Sequence, residues 1–506
     1  MSGLLTTAFL LVITSAVNGA MIYVPDDYSR IQWAHDNASQ GDVIVVRDGF
    51  YMENVVISKQ ITMTSENGSM YTFLIPENLN SSVFKVFADN VTVSGFSISG
   101  VSGQYKAGIY VSGAEGCLIT GNEIFSSYNG IRLTGSDSCI IFGNTIHDTI
   151  WGIALMSGSS NNLIEENIVY NVTGSFLSSG IYLYPAHSNR IANNTVYGST
   201  NGIYLLMNSE NNILTGNMLF GNVYSGIAIK SSSNNTINNS IIMENENGIL
   251  IMESSSSNRI FQNTVENNTN GAYISESTKN NFSDNSLFNN TVGMYFTSSS
   301  QNTVSSNDLS WNLDGIYFRN SDKNLVTANV IFGNSIGIKT YNTSGILIYA
   351  NTFTSNSQNA YPINSENIWN STDLYTYIYN GSQHFGHLGN FWDDYPVTGS
   401  DEDGVGDMAY QLDVNNTDFH PLLKPFENYQ IISVAETIPD MVDDASEQLV
   451  SKYHSSFDWK TQTPTKDDAL QAVVSAVTQY FISTDDTAKQ EIVDDVIQLV
   501  VLYFLI

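Results

Sequence analysis

The sequence predicts a mainly-β protein: a right-handed, single-stranded parallel β-helix with coils of about 22 residues and a small α-helical C-terminal domain. Three observations support this fold: a recurring glycine, asparagines at constant distances from it, and alternating apolar residues beside it. The glycines are Gly108, Gly130, Gly152, Gly180, Gly202, Gly226, Gly248, Gly271, Gly293, Gly315 and Gly337. A fixed period with strands, and with no helical segment between them, is typical of a solenoid.

Each glycine opens a short apolar phrase that has the pattern of a β-strand. The phrases read GIYV after residue 107, GIYL after residue 201 and GIYF after residue 314. Side chains alternate between the two faces of a strand, so the residues flanking the middle position point inward and the middle one points outward. Equivalent letters of successive phrases are therefore predicted to be neighbours in space.

Two asparagine columns are predicted to mark corners between strands. Asparagine tolerates left-handed backbone, and stacked side-chain amides can bond along a column. The first column is Asn122, Asn144, Asn167, Asn194, Asn217, Asn239, Asn263, Asn285, Asn307, Asn329 and Asn351. The second is Cys117, Cys139, Asn162, Asn189, Asn212, Asn234, Asn258, Asn280, Asn302 and Asn324. A disordered polar sequence would not keep the intervening Ile, Val and Leu in phase.

Composition indicates an exported protein. With 18 Lys+Arg against 49 Asp+Glu, the chain lacks the basic surface of a nucleic-acid-binding protein. Residues 1–20 are predicted to be a signal peptide because the apolar run from Leu4 to Val17 ends in small residues. About fifteen N-x-S/T sequons are compatible with an extracellular surface. The apolar run at 499–506 is too short to cross a bilayer, so no membrane span is expected.

The remaining chain divides into four predicted segments. Residues 21–105 form an N-terminal cap, with a short amphipathic helix beginning near Arg30, and irregular coils. Residues 106–380 form the regular repeats, and residues 381–427 close the stack. Residues 428–506 are predicted to form a helical tail that docks or self-associates, although simple packing among its helices is an equal alternative.

The two cysteines occupy the same slot of neighbouring coils. The Cα atoms of Cys117 and Cys139 are expected to lie about 5 Å apart, within disulfide range. A disulfide between them and a pair of buried thiols are both compatible with the sequence.

The closing segment contains two candidate metal sites. Asp401, Asp403 and Asp407 lie around two glycines, and clustered carboxylates are suited to Ca²⁺. A solvated acidic turn is the alternative. A second candidate is a soft-metal site, and it consists of His384, His387 and His420.

The outward column of the strand phrases contains six tyrosines. They are Tyr110, Tyr182, Tyr204, Tyr273, Tyr295 and Tyr317. Such a strip is predicted to bind glycans, because aromatic rings stack on sugars and their hydroxyls remain free to bond. The alternative is that tyrosine merely favours strands and covers the sheet.

Catalysis is not expected. Polysaccharide hydrolysis needs two carboxylates within about 10 Å of each other. The acids of the repeats do not fall on adjacent coils of one face; they are Glu115, Asp137, Asp148, Glu210, Glu253 and Asp314. The basic residues are equally dispersed.

The opening IYVPDDYSRIQWAHDNASQGDVIVV and the GIYL and N-x-I repeats resemble the NosD-like parallel β-helix family, also called carbohydrate-binding and sugar-hydrolysis repeats. The resemblance covers residues 22–360. The segment GNFWDDYPVTGSDEDGVGDMAYQLDVNNTDFHPL is similar to the closing motif of such proteins on methanogenic archaeal cell surfaces, and the tail is similar to their paired-helix modules. The resemblance implies the fold and an exported location. Its copper-binding label does not carry over, because the repeats lack a Met/His/Cys cluster.

The sequence thus predicts an exported, non-catalytic cell-surface β-helix that binds glycans or has a structural role in the envelope. Its expected partners are surface glycans or envelope proteins. Two alternatives stay open: a polysaccharide-processing enzyme (lyase, hydrolase or epimerase), and a copper-binding protein of the NosD type.

Overall fold

A computed structural model describes residues 19–396 and 402–435, together with Lys452, Ala472, Val473, Ser475 and Ala476 of the tail. The signal peptide predicted at residues 1–20 lies outside the described residues except for its last two. Most of the predicted helical tail also lies outside them. All five described tail residues are helical.

The predicted parallel β-helix is confirmed. Its strands stack into three parallel sheets, and each sheet receives one strand from each coil. Sheet 1 has 16 strands: Met21–Val24, Val43–Val46, Thr62–Ser65, Thr92–Ser94, Leu118–Thr120, Ile140–Phe142, Leu163–Glu165, Arg190–Ala192, Ile213–Thr215, Thr236–Asn238, Arg259–Phe261, Asn281–Ser283, Thr303–Ser305, Leu325–Thr327, Ser344–Tyr349 and Glu366–Ile368.

The other two sheets contain the glycine phrases and the strands before them. Sheet 2 has 14 strands: Val55–Ile57, Phe84–Val86, Ala107–Ser112, Asn129–Thr134, Trp151–Ser160, Ser179–His187, Asn201–Leu206, Ser225–Lys230, Asn247–Met252, Asn270–Ser275, Val292–Thr297, Asp314–Arg319, Ile336–Tyr341 and Gln358–Ile363. Sheet 3 has 15 strands: Gly49–Met52, Thr72–Ile75, Ser97–Ser99, Glu123–Phe125, Thr145–His147, Ile168–Tyr170, Thr195–Tyr197, Met218–Phe220, Ile241–Met243, Thr264–Glu266, Ser286–Phe288, Asp308–Ser310, Val330–Phe332, Thr352–Thr354 and Phe391–Trp392.

The recurring glycine is required by the close approach of successive coils. A Cβ atom on Gly130 would lie 2.6 Å from the carbonyl oxygen of Gly152 in the next coil, and on Gly226 it would lie 2.8 Å from that of Gly248. Any side chain would push the coils apart, because real Cβ atoms do not approach backbone so closely. Inward residues of the phrase, such as Ile203 and Leu205, are fully buried.

Asparagine side chains form hydrogen-bonded ladders inside the corners. Ladder 1 corresponds to the first predicted asparagine column, and ladder 2 to the second. In ladder 1 most Nδ2 groups donate to the Oδ1 of the asparagine one coil further on, as Asn285 does to Asn307 at 2.9 Å. Two predicted members are wrong by one residue. Ser240 occupies the place given to Asn239 in ladder 1, and Asn235 occupies that given to Asn234 in ladder 2. The displaced asparagines have left-handed backbone instead, with φ of 51° and 59°.

A third ladder was missed from the sequence. It begins after Ser199 and contains Asn222, Asn245, Asn268, Asn290, Asn312, Asn334 and Asn356. Its members follow those of ladder 1 by five residues, a spacing that the sequence does contain.

The predicted cap helix is present at Ile31–Asn37. Ile31 and Ala34 are fully buried beneath it against the first coils. The N-cap residue Arg30 makes no side-chain capping bond, whereas at the other end Asn37 donates to the Trp33 carbonyl at 2.9 Å. The Glu53 carboxylate accepts hydrogen bonds from the N–H groups of Ile31 and Gln32, and Lys59 donates to the last carbonyls. Both charges complement the helix dipole.

The three parallel sheets receive strands up to Glu366–Ile368 and one more at Phe391–Trp392, whereas the regular repeats were predicted to end at residue 380. The described chain forms two compact units: residues 19–370, 389–396 and 406–426 form the first, and residues 371–388, 402–405 and 427–435 belong to the second. The second unit contains an antiparallel sheet of Leu374–Tyr379, Ser382–Gly386 and Gln430–Ala435. Residues 430–435 are thus a strand, where the helical tail was expected to have begun. The remaining elements are the hairpin Tyr410–Gln411 with Thr417–Asp418 and a 3₁₀ turn at Phe426–Asn428.

Candidate ligand-binding surfaces

The six predicted tyrosines lie in sheet 2, but they do not form one strip. Tyr182 and Tyr204 have only 4% and 7% of their surface exposed. They belong to a second apolar cluster outside the main core, together with Trp151, Leu206 and Leu250. Burial raises the pKa of Tyr204 to about 12 and also raises the pKa of Tyr182. These two rings are not available to a sugar.

Three other tyrosines stack on one another. The ring centroids of Tyr273 and Tyr295 are 5.1 Å apart, and those of Tyr295 and Tyr317 are 4.9 Å apart, with nearly parallel planes. The Lys339 ammonium lies 4.7 Å from the Tyr317 ring centre. Each ring face is therefore covered by its neighbour in the column. This array presents edges and hydroxyl groups to the solvent, whereas sugar stacking needs an open ring face.

A longer aromatic stack on sheet 3 was missed from the sequence. Five rings in successive coils stack at centroid distances between 4.7 and 5.2 Å with planes within 8° of parallel: Phe125, His147, Tyr170, Tyr197 and Phe220. The signal is present in the sequence as aromatic residues at the ends of five successive sheet 3 strands, outside the glycine phrases.

Three carboxylates line one surface cleft, contrary to the expectation that the acids are dispersed. Glu210, Glu253 and Glu276 surround a cleft of about 450 Å³ beside the corner after sheet 2. Lys230 forms an ion pair with Glu253 at 2.6 Å. These acids lie close together because the corners of successive coils stack on one another, as the strands do. The acids named from the sequence did not include Glu276.

The closing segment ends all three ladders on aspartate side chains. Asp418 is fully buried; its carboxylate accepts hydrogen bonds from the N–H groups of Asn390 and His420 and from the Asn390 amide and Trp392 indole. Burial raises its pKa to about 7, although these donors favour the charged form.

The other two ladders end in the same way. Ladder 2 is interrupted at Ile346 and resumes through Asn367 and Asn416, whose amide donates to Asp413 at 2.9 Å. Ladder 3 ends where Asn359 donates to Asp393 and Asp394, at 2.9 and 3.0 Å. The sequence predicts that this segment closes the stack, but it does not predict that aspartates end the ladders.

The predicted calcium residues are only partly described. Asp401 lies outside the described residues. Asp403 accepts a hydrogen bond from the N–H of Val405 at 2.9 Å, and Asp407 is exposed. The calcium site stays a prediction.

The predicted soft-metal histidines are all described. His384 lies on the strand Ser382–Gly386, His387 bonds to the Asp373 carbonyl at 3.1 Å, and the N–H of His420 donates to Asp418. Among residues 19–396 and 402–435, no three His, Cys, Asp or Glu side chains are close enough to hold a metal ion.

Cys117 and Cys139 are free, buried thiols that directly precede the paired strands Leu118–Thr120 and Ile140–Phe142. The Cys139 thiol donates to the Ala114 carbonyl at 3.6 Å, and its interaction with the Cys117 side chain together with burial raises the pKa of Cys139. The structure thus shows the buried-thiol alternative, and the disulfide stays a prediction.

No helix among the described residues has the length and apolar character needed to cross a bilayer. A "Cell surface glycoprotein" of Methanothermus fervidus is 33% identical over 103 residues. That match covers 20% of this chain and 16% of the relative, so the chain spans only a small part of the relative's length.

Several solved structures are similar to the chain at low identity. The A-module of a mannuronan C-5 epimerase from Azotobacter vinelandii has a TM-score of 0.44 and 15% identity, over 62% of this chain and 93% of that one. The catalytic domain of an α-1,3-glucanase has a TM-score of 0.40 and 13% identity, over 69% and 68%. These values are too low to transfer an activity.

The family described as "Periplasmic copper-binding protein (NosD)" matches residues 35–225, 168–297 and 221–396. Copper in proteins is held by convergent His, Cys or Met side chains. Whether this chain binds copper stays a prediction. The family matches cover most of the solenoid, and the chain belongs to the NosD family.

Proposed function

We propose that the protein is an exported, non-catalytic structural component of the cell surface. The observation that supports this most strongly is the continuity of the three side-chain ladders through the stack. The likeness to a cell surface glycoprotein favours the same location.

The ladders make each coil depend on the next. A ladder amide such as Asn307 bonds to Asn329, to the Phe282 carbonyl and to the Ser305 carbonyl, and its own oxygen accepts from Asn285. Because the amides are buried and satisfied, they fix the register of the strands. A stack of this kind gains stability from nearest-neighbour contacts and has no size limit set by a single core. Such properties suit a load-bearing surface protein.

Deletion of the protein from cells, followed by complementation with the wild-type chain or a variant, tests this proposal. Loss of the protein should lower resistance to osmotic shock, and the wild-type chain should restore it. A chain with Asn307→Leu, which breaks ladder 1, should restore it less than the matched surface variant Thr303→Ser. The proposal fails if the cells are unaffected or if the protein is not found at the surface.

Glycan binding by the tyrosine column remains a prediction. A glycan array with Tyr295→Ala and Tyr317→Ala tests it on the stacked rings, and the buried Tyr204→Ala is a control for indirect effects. Loss of binding only with the first two variants would support the column as a glycan site.

A second function, polysaccharide processing, is favoured by the cleft of Glu210, Glu253 and Glu276. Paired carboxylates on a surface cleft are what glycoside hydrolysis requires. If the protein releases new reducing ends from a polysaccharide, and Glu253→Gln abolishes this while Glu266→Gln on sheet 3 does not, the non-catalytic proposal is wrong.

A further inference from the structure

Three coils have an extended corner between sheet 3 and sheet 2. The corners at residues 76–83, 100–106 and 171–178 are eight, seven and eight residues long, whereas the corners at 126–128 and 148–150 have three. In solenoids, insertions map to loops on one face, and that face is often the binding face. The extended corners therefore single out this part of the stack.

The extended corner at residues 100–106 presents an aromatic ring with one open face. Tyr105 has left-handed backbone (φ 62°) and is 48% exposed. One side of its ring stacks on Trp151 at 6.1 Å with planes 16° apart, and Tyr128 meets it edge-on at 5.6 Å. Unlike the rings of the Tyr273–Tyr317 array, the Tyr105 ring has no aromatic partner on its outer side.

Unsatisfied polar atoms surround this ring. Arg132 Nη1 donates to the Tyr105 carbonyl at 2.7 Å, but its Nε is buried without a partner. Asn129 is fully buried and donates to the Lys106 carbonyl at 2.8 Å, while its Oδ1 has no partner. Of the six unpartnered buried side-chain atoms in the described residues, four lie between residues 129 and 149. Buried polar atoms without partners are rare and call for an explanation.

The same place is basic in an otherwise acidic chain. Lys85, Tyr110 and Arg132 are neighbours in the outward column of sheet 2, and Lys106 follows Tyr105. The Arg132 guanidinium lies 5.7 Å from the Tyr110 ring centre. Neither the corner 100–106 nor the strands Phe84–Val86, Ala107–Ser112 and Asn129–Thr134 contain an acidic residue, although the chain carries a net charge of −31.

We propose that this corner binds an acidic sugar, a ring that bears a carboxylate or sulfate group. The sugar ring stacks on the open face of Tyr105, and the anionic group pairs with the guanidinium of Arg132 and the ammonium groups of Lys85 and Lys106. This site goes beyond the structural role proposed above and does not depend on it.

Calorimetry with the full chain tests the site. The probes are an oligogalacturonate (carboxylate), a heparin-derived oligosaccharide (sulfate) and a neutral maltooligosaccharide. We expect at least one acidic probe to bind, with affinity that falls as salt rises, and the neutral probe to bind at least tenfold more weakly. Tyr105→Ala and Arg132→Gln should each lower the affinity for the acidic probe at least tenfold.

Arg319→Gln is the matched control, because Arg319 is an outward arginine of sheet 2 packed 6.0 Å from a tyrosine ring. It should leave binding unchanged. Lys85→Gln keeps the Arg132–Tyr105 bond and serves as a second variant if Arg132→Gln unfolds. The proposal is overturned if no acidic probe binds, if Arg319→Gln weakens binding as much as Arg132→Gln, or if the neutral probe binds equally well.

Discussion

The two ends of the solenoid are closed by different kinds of interaction. At the N-terminal end, the helix Ile31–Asn37 buries Ile31 and Ala34 and shields the open core. At the C-terminal end, residues 389–418 place carboxylates where the asparagine ladders stop. The first closure is mainly apolar, and the second is mainly a set of charged hydrogen bonds.

The direction of the ladders explains the difference. Most ladder amides donate toward the next coil, so the side-chain dipoles align, with their positive ends toward the C-terminal side, as at the N-terminus of an α-helix. Unpaired N–H donors would be left at that end. Asp418, Asp413 and the Asp393–Asp394 pair accept them. At the opposite end ladder 1 begins with an acceptor, Asn122 Oδ1, which receives the Phe96 N–H.

The largest effect is expected from Asp418→Ala. The change leaves buried donors of Asn390, Trp392 and His420 without an acceptor, at a cost of about 4 kcal/mol or more. Hydrogen exchange should show lost protection at the Leu422 N–H, which bonds to the Asn390 carbonyl at 2.8 Å. Protection of the Arg47 N–H, which bonds to the Val24 carbonyl in the first coils, should not change. Equal loss at both ends would contradict two independent closures.

Ile31→Ala should destabilise the other end by about 3 kcal/mol, because it removes a fully buried side chain from beneath the cap. Trp33→Ala on the same helix is the matched control; Trp33 is 52% exposed, and its loss should cost less than about 0.5 kcal/mol. Hydrogen exchange at the Arg47 N–H measures the loss of stability in both variants. A similar effect of the two substitutions would show that apolar burial does not hold this end.

The C-terminal closure should lose stability as the pH rises. The pKa of Asp418 is about 7 in the folded chain, whereas an unfolded aspartate titrates near pH ~4. Between these values the folded state binds more protons than the unfolded state, so its stability falls with increasing pH. We expect a loss of about 2–3 kcal/mol between pH 5 and pH 8, measured by exchange at the Leu422 N–H.

Asp418→Asn is the control for this pH dependence, since the amide does not titrate. If the variant keeps the same pH profile, another group causes it. A wild-type closure that is more stable at pH 8 than at pH 5 would show that the surrounding N–H groups outweigh burial.

The repeating part of the fold was predictable because its signal recurs. Gly130 must be glycine for the same reason as Gly226, and the repetition of that constraint reveals the coil. Periodicity also located ladders 1 and 2. It failed by one residue at Asn235, because two adjacent asparagines look alike in a sequence while only one of them points inward. It failed at Ser240 because a serine takes the ladder position there, directly after an asparagine.

The parts that occur once were not predictable in the same way. Asp418 and Asp413 lie in a stretch rich in acids, and nothing in their spacing distinguishes a ladder end from a calcium ligand. Tyr105 lies in an irregular corner outside the glycine phrases. The cleft of Glu210 and Glu276 arises only when coils of unequal length are stacked. Such sites depend on three-dimensional contacts that a single sequence does not repeat.

The smallest effect is expected in the interior of a ladder, where the molecule already contains a natural interruption. The Ser240 hydroxyl accepts a hydrogen bond from the N–H of Asn217, and the N–H of Ser240 donates to the Asn263 side chain. The serine side chain has no amide group to donate to the next coil. Asn285→Ser should therefore cost only about 1 kcal/mol, since its hydroxyl can still accept the Asn263 N–H. Asn285→Leu should cost about 3 kcal/mol because that N–H is left unsatisfied. Denaturant unfolding measures the free energy of unfolding of the two variants. Equal losses would mean that the ladder interior does not accept a serine hydroxyl in place of the asparagine amide.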